Sequence, residues 1–232
     1  MLRDAELTAG RYATRMLKPG KIICIGRNYS EHAAETGDDV PPAPLIFGKF
    51  PSTIIGPGDE IVLPFEETHV DAEAELAVVI GKTVRRVPVE NALEAVAGYL
   101  CANDVSARTI QFGDGQWTRG KGFDTFCPIG PGEPVPVSVL GDGSGLRVIQ
   151  RLNGAVLQDG NTDDLIFDVP YLVAYASNVF TLEPGDLILT GTPSGIGWAH
   201  DPKIALKDGD VVEVEIEGIG ILSNPVVAER QT

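Results

Sequence analysis

Ionisable residues alternate along one short segment of the chain. In HVDAEAELAVVIG (69–81), every second position up to residue 75 is ionisable: His69, Asp71, Glu73 and Glu75. If this segment is a strand, these side chains share one face, and neighbouring carboxylates on an exposed face repel each other. The apolar run that follows suggests that the strand enters the core, where clustered carboxylates are tolerated when a hard cation lies among them. The spacing leaves two interpretations open, a solvated acidic face or part of a divalent-metal site.

A further carboxylate follows an apolar stretch in VAGYLCANDVSARTIQ (96–111). Asp104 could cap a helix that begins at Val105, which is a common role for Asp at such a position. It could also bring a third carboxylate to Glu73 and Glu75. The two roles are compatible, because a carboxylate can both cap a helix and bind a metal.

The segment GRNYSEHAAETG (26–37) contains a possible general base. On a short helix, His32 and Glu35 lie three residues apart and therefore on one face. Glu35 could hold the imidazole in one tautomer and raise its basicity, which suits a base that acts on water near neutral pH. The alternative is an ordinary surface pair on a solvated helix.

Two glycine-rich segments contain residues suited to binding an anion. In GQWTRGKGFDTFCPIGP (115–131), Lys121 lies among glycines and aromatic residues, where it could contact a substrate carboxylate or extend to water. In LTGTPSGIG (189–197), the glycines leave backbone N–H groups accessible around Thr192. Such a loop can bind a carboxylate, or it can be a plain turn.

Short strands and a few helices must position these residues. Apolar runs between turn formers predict strands at 21–26, 60–64, 74–81, 186–191 and 210–218. In the last of these, apolar and acidic residues alternate strictly, which is typical of a half-solvated strand. Helical apolar spacing predicts helices at 30–36, 89–100 and 168–180. With no linker in the sequence, we expect one domain that is mostly β with peripheral helices (α+β).

The composition excludes some classes of partner. The 232 residues have a formal net charge of −15, so a nucleic-acid backbone would be repelled. No apolar run approaches the roughly 20 residues that span a bilayer, and the N-terminal residues lack the apolar region of a secretory signal. The three cysteines lie in apolar runs and are predicted to be buried free thiols. We therefore expect no membrane partner and a cytoplasmic location.

Taken together and in this order, these segments resemble the fumarylacetoacetate hydrolase superfamily. The resemblance covers the chain from about residue 21 to about residue 226 and is far more specific for the superfamily than for one reaction. The motifs that carry it are GRNYSEHAAE, PLIFGKFPSTIIGPGDEI, VDAEAELAVVIGK, GYLCANDVSARTIQ, GKGFDTFCPIGP, RLNGAVLQDGNTDDLIF and PGDLILTGTPSGIG.

This resemblance implies a mixed β-roll of bent sheets around a metal site. It implies a single catalytic domain at 21–232 after a short N-terminal extension at 1–20, and assembly as a homodimer. The implied cofactor is Mg²⁺ or Mn²⁺, with Glu73, Glu75 and Asp104 as ligands and Asp71 beside them. The implied catalytic residues are His32, Glu35 and Lys121, with the first two on a segment that orders over the site like a lid. The implied substrate-binding residues are Arg27, Arg108, Gln111 and Thr192.

Two features depart from the family pattern. About two dozen residues precede the GRNY motif, fewer than in many relatives, so less chain is expected to cover the site from that side. Lys49-Phe50-Pro51 also replaces the expected Lys-Pro pattern. Because position 50 adjoins a loop expected to face the pocket, substrate preference stays open.

The resemblance implies hydrolysis of a carbon–carbon bond in an acylpyruvate-type 2-oxo acid, giving pyruvate and a carboxylic acid. The same metal site could serve oxaloacetate decarboxylation, isomerisation or decarboxylation of 2-hydroxy-dienedioates in aromatic catabolism, or dehydration of a sugar-derived 2-oxo acid. A rival of another class is a non-catalytic ligand-binding protein on the same fold. The retained carboxylates, lysine and His/Glu pair argue against that rival.

Overall fold

A computed structural model of the chain describes residues 17–35, 37, 39–67 and 69–230. The strands are β1 (Ile22–Gly26), β2 (Leu45–Lys49), β3 (Ile54–Ile55), β4 (Ile61–Leu63), β5 (Val70–Asp71), β6 (Ala74–Ile80), β7 (Val96–Asn103), β8 (Ser106–Ala107), β9 (Cys127–Val135), β10 (Arg147–Leu152), β11 (Ala155–Asn161), β12 (Leu187–Leu189), β13 (Val211–Ile216) and β14 (Gly220–Ala228). The α-helices are α1 (Ser30–Glu35), α2 (Arg108–Asp114), α3 (Trp117–Lys121), α4 (Val137–Leu140) and α5 (Val169–Val179). Short 3₁₀ helices cover Pro51–Thr53, Val89–Ala95, Thr162–Asp164 and Gly197–Ala199.

Two mixed sheets form the body of the protein. The larger sheet has the strand order β2-β1-β12-β6-β7-β9-β3, and the smaller has the order β11-β10-β13-β14-β4. Most neighbours are antiparallel, but β1 pairs parallel with β12, β3 with β9, and β14 with β4. A separate two-stranded ladder joins β5 to β8. The expected mostly-β fold with peripheral helices is therefore confirmed.

The main core lies between the two sheets. Leu76 and Val78 of β6 belong to the same apolar cluster as Val214 of the smaller sheet and Leu172 of α5. Their sequence neighbours on β6 point to the other face of the sheet and belong to a second cluster. Burial on both faces explains why β6 reads as a continuous apolar run rather than an alternating one. By contrast, β13 shows the predicted alternation of buried valines with half-buried glutamates.

The predicted helix at 89–100 is wrong in its second half. Residues 89–95 form a 3₁₀ helix, but residues 96–103 form β7, a central strand between β6 and β9. The helical apolar spacing is real, yet nearly every residue of β7 is buried. When both faces of a strand are buried, the spacing of apolar residues no longer distinguishes a strand from a helix, and sheet pairing decides the conformation.

The strand predicted at 74–81 is confirmed as β6, but the longer segment 69–81 is not one continuous strand. It forms β5 and β6, which belong to different ladders, with Ala72 and Glu73 between them. The reason is that Asp71 pairs with Ser106 of β8, whereas Ala74 pairs with Asn103 of β7. The break sends the chain from one ladder to the other within two residues.

The predicted helix beginning at Val105 is also wrong. The chain after Asp104 first forms β8, and helix α2 starts only at Arg108, with Ala107 as its N-cap residue. Asp104 is fully buried and does not cap this helix. The pairing of β8 with β5 keeps residues 106 and 107 extended and delays the helix.

Several other features match the expectations from the sequence. Helix α5 confirms the prediction at 168–180, and helix α1 confirms the one at 30–36 within the described residues. All three cysteines are buried free thiols, and burial raises the pKa of Cys101 and Cys127 to about 12. None of the helices in the described ranges is long and apolar enough to cross a bilayer. Residues 1–16 of the predicted extension lie outside the described residues, and the boundary at residue 20 stays a prediction.

Candidate active site

One cavity collects most of the residues singled out from the sequence. It has about 460 Å³ of empty space, part of which is open to solvent. Glu35 lies behind this lining, against His32. The predicted residues that line the cavity are Arg27, His32, Glu73, Glu75, Asp104, Arg108, Gln111, Lys121 and Thr192.

Pairing of β6 with β7 brings three carboxylates together. Ala74 lies opposite Asn103 in this ladder, so Glu73 and Glu75 lie close to Asp104. The Asp104 N–H donates to the Glu73 carbonyl at 2.9 Å, and the Glu73 N–H donates to the Asn103 side chain at 3.0 Å. One oxygen from each carboxylate lies within 4.8 Å of the others, and all three residues are buried. The predicted cluster is therefore present.

Three buried cations surround this cluster. Lys121 Nζ lies 2.8 Å from Glu73 Oε2 and 2.6 Å from Asp104 Oδ2. Arg108 donates to Glu73 Oε1 at 2.6 Å. Lys49, at the end of β2, donates to Asp104 Oδ1 at 2.6 Å. Lys121 thus bridges two of the carboxylates and does not extend to water.

Asp71 holds Arg108 rather than joining the cluster. Its carboxylate accepts from Arg108 Nε at 3.0 Å and from the N–H groups of Gly197 and Trp198 at 2.9 and 3.0 Å. Arg108 in turn donates to Gln111 Oε1 at 3.0 Å. Arg108 and Gln111 are therefore positioned by a buried network that also fixes the loop around residue 197.

Glu75 is electrostatically different from its neighbours. Its carboxylate accepts the Gly191 N–H at 2.7 Å, and among the described residues it forms no ion pair. Burial, together with Asp104 and Glu73, raises the pKa of Glu75 well above its usual range. Burial acts in the same direction on Glu73, but Lys121 and Arg108 outweigh it and lower the pKa of Glu73. The cluster therefore has one carboxylate that lacks a compensating cation.

These residues fit a divalent cation. Counting Asp71, four buried carboxylates face three buried cations in this region, and the unmatched one is Glu75. Carboxylate oxygens are the ligands that Mg²⁺ prefers, at roughly 2.1 Å, so oxygens on opposite sides of the ion lie about 4.2 Å apart. A spread of up to 4.8 Å needs only sub-ångström adjustment. Glu73, Glu75 and Asp104 can hold such an ion.

Helix α1 places a base beside the cluster. His32 Nδ1 lies 2.8 Å from Glu35 Oε1, and Glu35 Oε2 accepts the Gly195 N–H at 2.9 Å. Ser194 Oγ donates to Glu31 Oε2 at 3.2 Å. Glu35 therefore orients the imidazole and ties α1 to the glycine-rich loop, an arrangement unlike that of a solvated surface pair.

The Thr192 loop is held by a residue that the sequence did not single out. Thr192 Oγ1 donates to the Ala74 carbonyl at 2.9 Å and accepts from Gln158 Nε2 at 2.8 Å. Gln158 Nε2 also donates to the Pro193 carbonyl at 2.7 Å, while its Oε1 accepts the Ala74 N–H at 2.9 Å. This buried amide thus connects the loop to the backbone between Glu73 and Glu75.

We expect Gln158→Met to loosen the loop without removing the cluster. Each lost hydrogen bond contributes about 1 kcal/mol, so the KM for a 2-oxo acid should rise roughly tenfold while metal affinity changes less than about threefold. Steady-state kinetics and titration calorimetry with Mn²⁺ measure the two quantities.

Gln150→Met is the matched control. Gln150 lies opposite Gln158 in the β10–β11 ladder, and its buried Oε1 has no partner in the described part of the chain. Its replacement should leave KM unchanged. Equal effects of the two substitutions, or a loss of metal affinity in Gln158→Met alone, would contradict the proposed role.

The chain is similar in sequence to proteins of a known family. Residues 21–227 match the family model described as "Fumarylacetoacetate (FAA) hydrolase C-terminal". The chain is 47% identical over 229 residues to the mitochondrial oxaloacetate tautomerase of Homo sapiens, covering 98% of this chain and 72% of that protein.

Two solved structures are similar over nearly the whole described fold. The crystal structure of 2-hydroxyhepta-2,4-diene-1,7-dioate isomerase from Mycobacterium marinum is 43% identical with a TM-score of 0.82, covering 93% of this chain and 77% of that one. The fumarylpyruvate hydrolase of Pseudomonas aeruginosa, in complex with Mn²⁺ and pyruvate, is 33% identical with a TM-score of 0.82, covering 91% of each chain. The chain therefore belongs to the fumarylacetoacetate hydrolase family.

Proposed function

We propose that this chain is a divalent-metal-dependent enzyme that interconverts the keto and enol forms of a small 2-oxo acid, with oxaloacetate as the reference substrate. The observation that carries the proposal is His32, held by Glu35 at 2.8 Å, on the wall of the cavity that contains the three carboxylates. The oxaloacetate tautomerase at 47% identity supports the same reaction.

The metal would be held by Glu73, Glu75 and Asp104. When bound, a divalent cation supplies Lewis-acid polarisation of the carboxylate and 2-keto oxygens of a 2-oxo acid. The Mn²⁺ complex of the fumarylpyruvate hydrolase supports Mn²⁺ as a suitable ion, and Mg²⁺ shares its preference for oxygen ligands. We propose Mg²⁺ or Mn²⁺ as the cofactor.

His32 would move the proton at C3. With Nδ1 bonded to Glu35, the proton passes to Nε2. The electron pair of the C3–H bond becomes the C2–C3 double bond, and the electrons of the C2–O π bond move to oxygen, which takes a proton from solvent. The reverse sequence converts the enol to the keto form. Nearby Glu35 stabilises the imidazolium that forms.

The remaining residues would bind and orient the substrate. Lys121 offers a buried ammonium beside Glu73 and Asp104, and the glycine-rich loop offers backbone N–H groups around Thr192 for a carboxylate. Gln158 and Asp71 act through the groups that they hold. A substrate fixed in this way reacts at a lower entropic cost.

Hydrolysis of an acylpyruvate, the reaction expected from the sequence, is a second candidate. It is favoured by the same His32–Glu35 pair, which can deprotonate a water molecule for attack on the distal carbonyl. The bond between C3 and that carbonyl then breaks, and its electrons form the enol of pyruvate, which is protonated at C3. The similarity to a fumarylpyruvate hydrolase supports this alternative. Assembly as a homodimer and a cytoplasmic location stay predictions.

A metal-dependence experiment tests the proposal. Freshly dissolved enol-form oxaloacetate is followed by its ultraviolet absorbance with Mg²⁺ or Mn²⁺ and after EDTA, while pyruvate release is measured with a coupled lactate dehydrogenase assay. We expect metal-dependent acceleration of enol decay by at least about a hundredfold, the usual contribution of a positioned base, without matching pyruvate release.

Acetylpyruvate serves as the second substrate in the same assay. Pyruvate from acetylpyruvate without faster enol decay would establish the hydrolase instead. Metal-loaded protein that accelerates neither reaction would overturn the proposal.

A further inference from the structure

The hairpin between β10 and β11 turns at an asparagine that precedes a glycine. Leu152 pairs with Ala155, so the turn has two residues, Asn153 and Gly154. Their φ angles are +51° and +82°, the positive values of a type I′ turn, for which Asn-Gly is a preferred sequence. Both residues are exposed. No other asparagine in the sequence is followed by glycine.

Three hydrogen bonds join this asparagine to the start of β13. The Asn153 Nδ2 group donates to Asp210 Oδ1 at 2.8 Å, and Asn153 Oδ1 accepts the Val211 N–H at 2.9 Å. The Asn153 N–H donates to the Val211 carbonyl at 2.9 Å. We call these three bonds the Asn153 clamp. Both ends of the side-chain amide are thus bound, although the turn itself is exposed to water.

Asp210 is held in place for this contact. Its Oδ2 accepts the Lys207 N–H at 2.7 Å, and its own N–H donates to the Lys207 carbonyl at 3.1 Å. The Asp210 carbonyl accepts the Val226 N–H at 2.8 Å. The carboxylate therefore meets Asn153 from a fixed position, and a hydrogen bond to a charged acceptor is roughly twice as strong as one between neutral groups.

An asparagine before glycine can react with its own backbone. The Gly154 nitrogen attacks Asn153 Cγ and passes its proton to the leaving group, so that the N–Cγ bond forms, the Cγ–Nδ2 bond breaks and ammonia leaves. Water then opens the cyclic imide at one of its two carbonyl carbons. Opening at Cγ gives aspartate, whereas opening at the backbone carbonyl gives isoaspartate. Glycine favours the attack because no side chain shields its nitrogen or restricts its backbone.

The clamp opposes the first step of this reaction. Rotation of the Asn153 amide toward the Gly154 nitrogen breaks the bonds to Asp210 and Val211. We propose that Asn153-Gly154 is a deamidation site and that Asp210 sets its rate by holding the amide. The reaction also removes the clamp, because aspartate at position 153 lacks the Nδ2 donor and brings a second carboxylate to Asp210.

Peptide mapping by mass spectrometry tests the proposal. The full chain is kept at mildly alkaline pH, either folded or in concentrated urea, and aspartate plus isoaspartate at position 153 is followed with time. We expect the unfolded chain to deamidate there at least roughly tenfold faster, because the clamp includes a hydrogen bond to a charged group.

Asp210→Ala removes the acceptor of the amide. It should accelerate deamidation in the folded protein roughly tenfold to a hundredfold, the effect of one hydrogen bond to a charged group. Asp210→Asn keeps an acceptor oxygen without the charge, so its rate should lie between those of the parent and Asp210→Ala. Circular dichroism at the incubation temperature establishes that each variant is folded, and Asp210→Asn carries the test if the alanine variant is not.

Asp208→Ala is the matched control. Asp208 is an exposed carboxylate in the same turn, and its Oδ1 accepts the Ala228 N–H at 2.9 Å. Its replacement should change the rate at position 153 less than about twofold. Equal acceleration in Asp208→Ala and Asp210→Ala would assign the effect to a looser turn and overturn the role of Asp210.

Two results from the parent protein would also overturn the proposal. An unfolded chain that stays unmodified at position 153 would rule out the site, and equal rates in the folded and unfolded chain would rule out control by the clamp. Neither measurement depends on turnover of a 2-oxo acid, so this inference stands or falls separately from the proposed function.

Discussion

Glu75→Gln should remove the divalent metal while making the metal-free protein slightly more stable. Glu75 is a buried carboxylate that forms no ion pair among the described residues and lies beside Asp104 and Glu73. An uncompensated charge in such a place is destabilising. Glutamine keeps an oxygen that can accept the Gly191 N–H and removes the charge.

Glu75→Gln should lower the affinity for the metal and raise the stability of the metal-free protein. Loss of a residue that merely supports a metal ligand costs roughly 10- to 100-fold in metal affinity, so loss of a ligand should cost at least about a hundredfold. The metal-free variant should gain about 1 kcal/mol in the free energy of unfolding, or roughly 2–4 °C in Tm for a chain of this size. Calorimetric titration with Mn²⁺ and thermal unfolding with and without Mn²⁺ measure both.

Glu73→Gln is the sharpest control for this prediction. Glu73 accepts from Lys121 and Arg108, so its neutralisation leaves buried cations with less compensation. That variant should also lose the metal, but its metal-free form should be destabilised by roughly 3 kcal/mol, as when one partner of a buried ion pair is removed. If Glu75→Gln retained the Mn²⁺-induced increase in Tm, or lost stability as Glu73→Gln does, the assignment of Glu75 as the open metal ligand would be wrong.

The carboxylate cluster was predictable because its signal is local. Glu73 and Glu75 remain two residues apart on one side of the chain although the strand is broken before β6. Both flank Ala74, which pairs with Asn103 at the end of the β6–β7 ladder. The reason given for Asp104 was only half right. Its place beside the glutamates follows from β6–β7 pairing, whereas the helix cap that the sequence suggested does not form.

Residues that act through sheet pairing were harder to foresee. Lys49 is the one polar residue of strand β2 and stands at its end, whereas Gln158 lies within β11 next to the polar Asp159. Nothing local distinguishes them from solvated edge positions. Their burial depends on contacts more than 30 residues away in sequence, with Asp104 and Thr192. A lone lysine after four non-polar residues was the one available signal, and it is weak.

The helix predicted over 89–100 failed for a related physical reason. Val96 and Leu100 are four residues apart, which fits the face of a helix, but they lie on β7 and belong to different apolar clusters on opposite sides of the sheet. Periodicity can identify a segment with one buried face. It cannot separate a helix from a strand that is covered on both sides, and only the competition for sheet partners decides.

His32→Ala should abolish enolisation while leaving the metal site intact. A positioned general base contributes roughly 10²–10⁴ in rate, so metal-dependent decay of enol oxaloacetate should slow by that factor. Mn²⁺ affinity should change little, since His32 does not belong to the carboxylate cluster. Decarboxylation of oxaloacetate needs no base at C3, so whatever pyruvate release the parent protein shows should be less affected in the variant. Enol decay, pyruvate release and calorimetric titration measure the three quantities.

Two further substitutions separate the roles of the dyad. Glu35→Gln keeps an acceptor for His32 Nδ1 but removes the negative charge that stabilises the imidazolium, so we expect a smaller loss, roughly tenfold. His200→Ala replaces a histidine whose Nε2 lies 3.3 Å from the Gly195 carbonyl, and this substitution should leave the rate unchanged. An unchanged rate of metal-dependent enol decay in His32→Ala would contradict the proposed role of the imidazole.

The same variant decides which proton His32 moves. If His32 acts at C3, His32→Ala should lose deuterium exchange into pyruvate as well as enol decay. If it acts on water, the variant should lose hydrolysis of acetylpyruvate but still exchange the C3 protons of pyruvate. Lys121, whose Nζ lies 2.8 Å from Glu73 Oε2 and from Ser106 Oγ, would then be our candidate for the proton carrier. The pattern across the two assays thus distinguishes a tautomerase from a hydrolase without knowledge of the natural substrate.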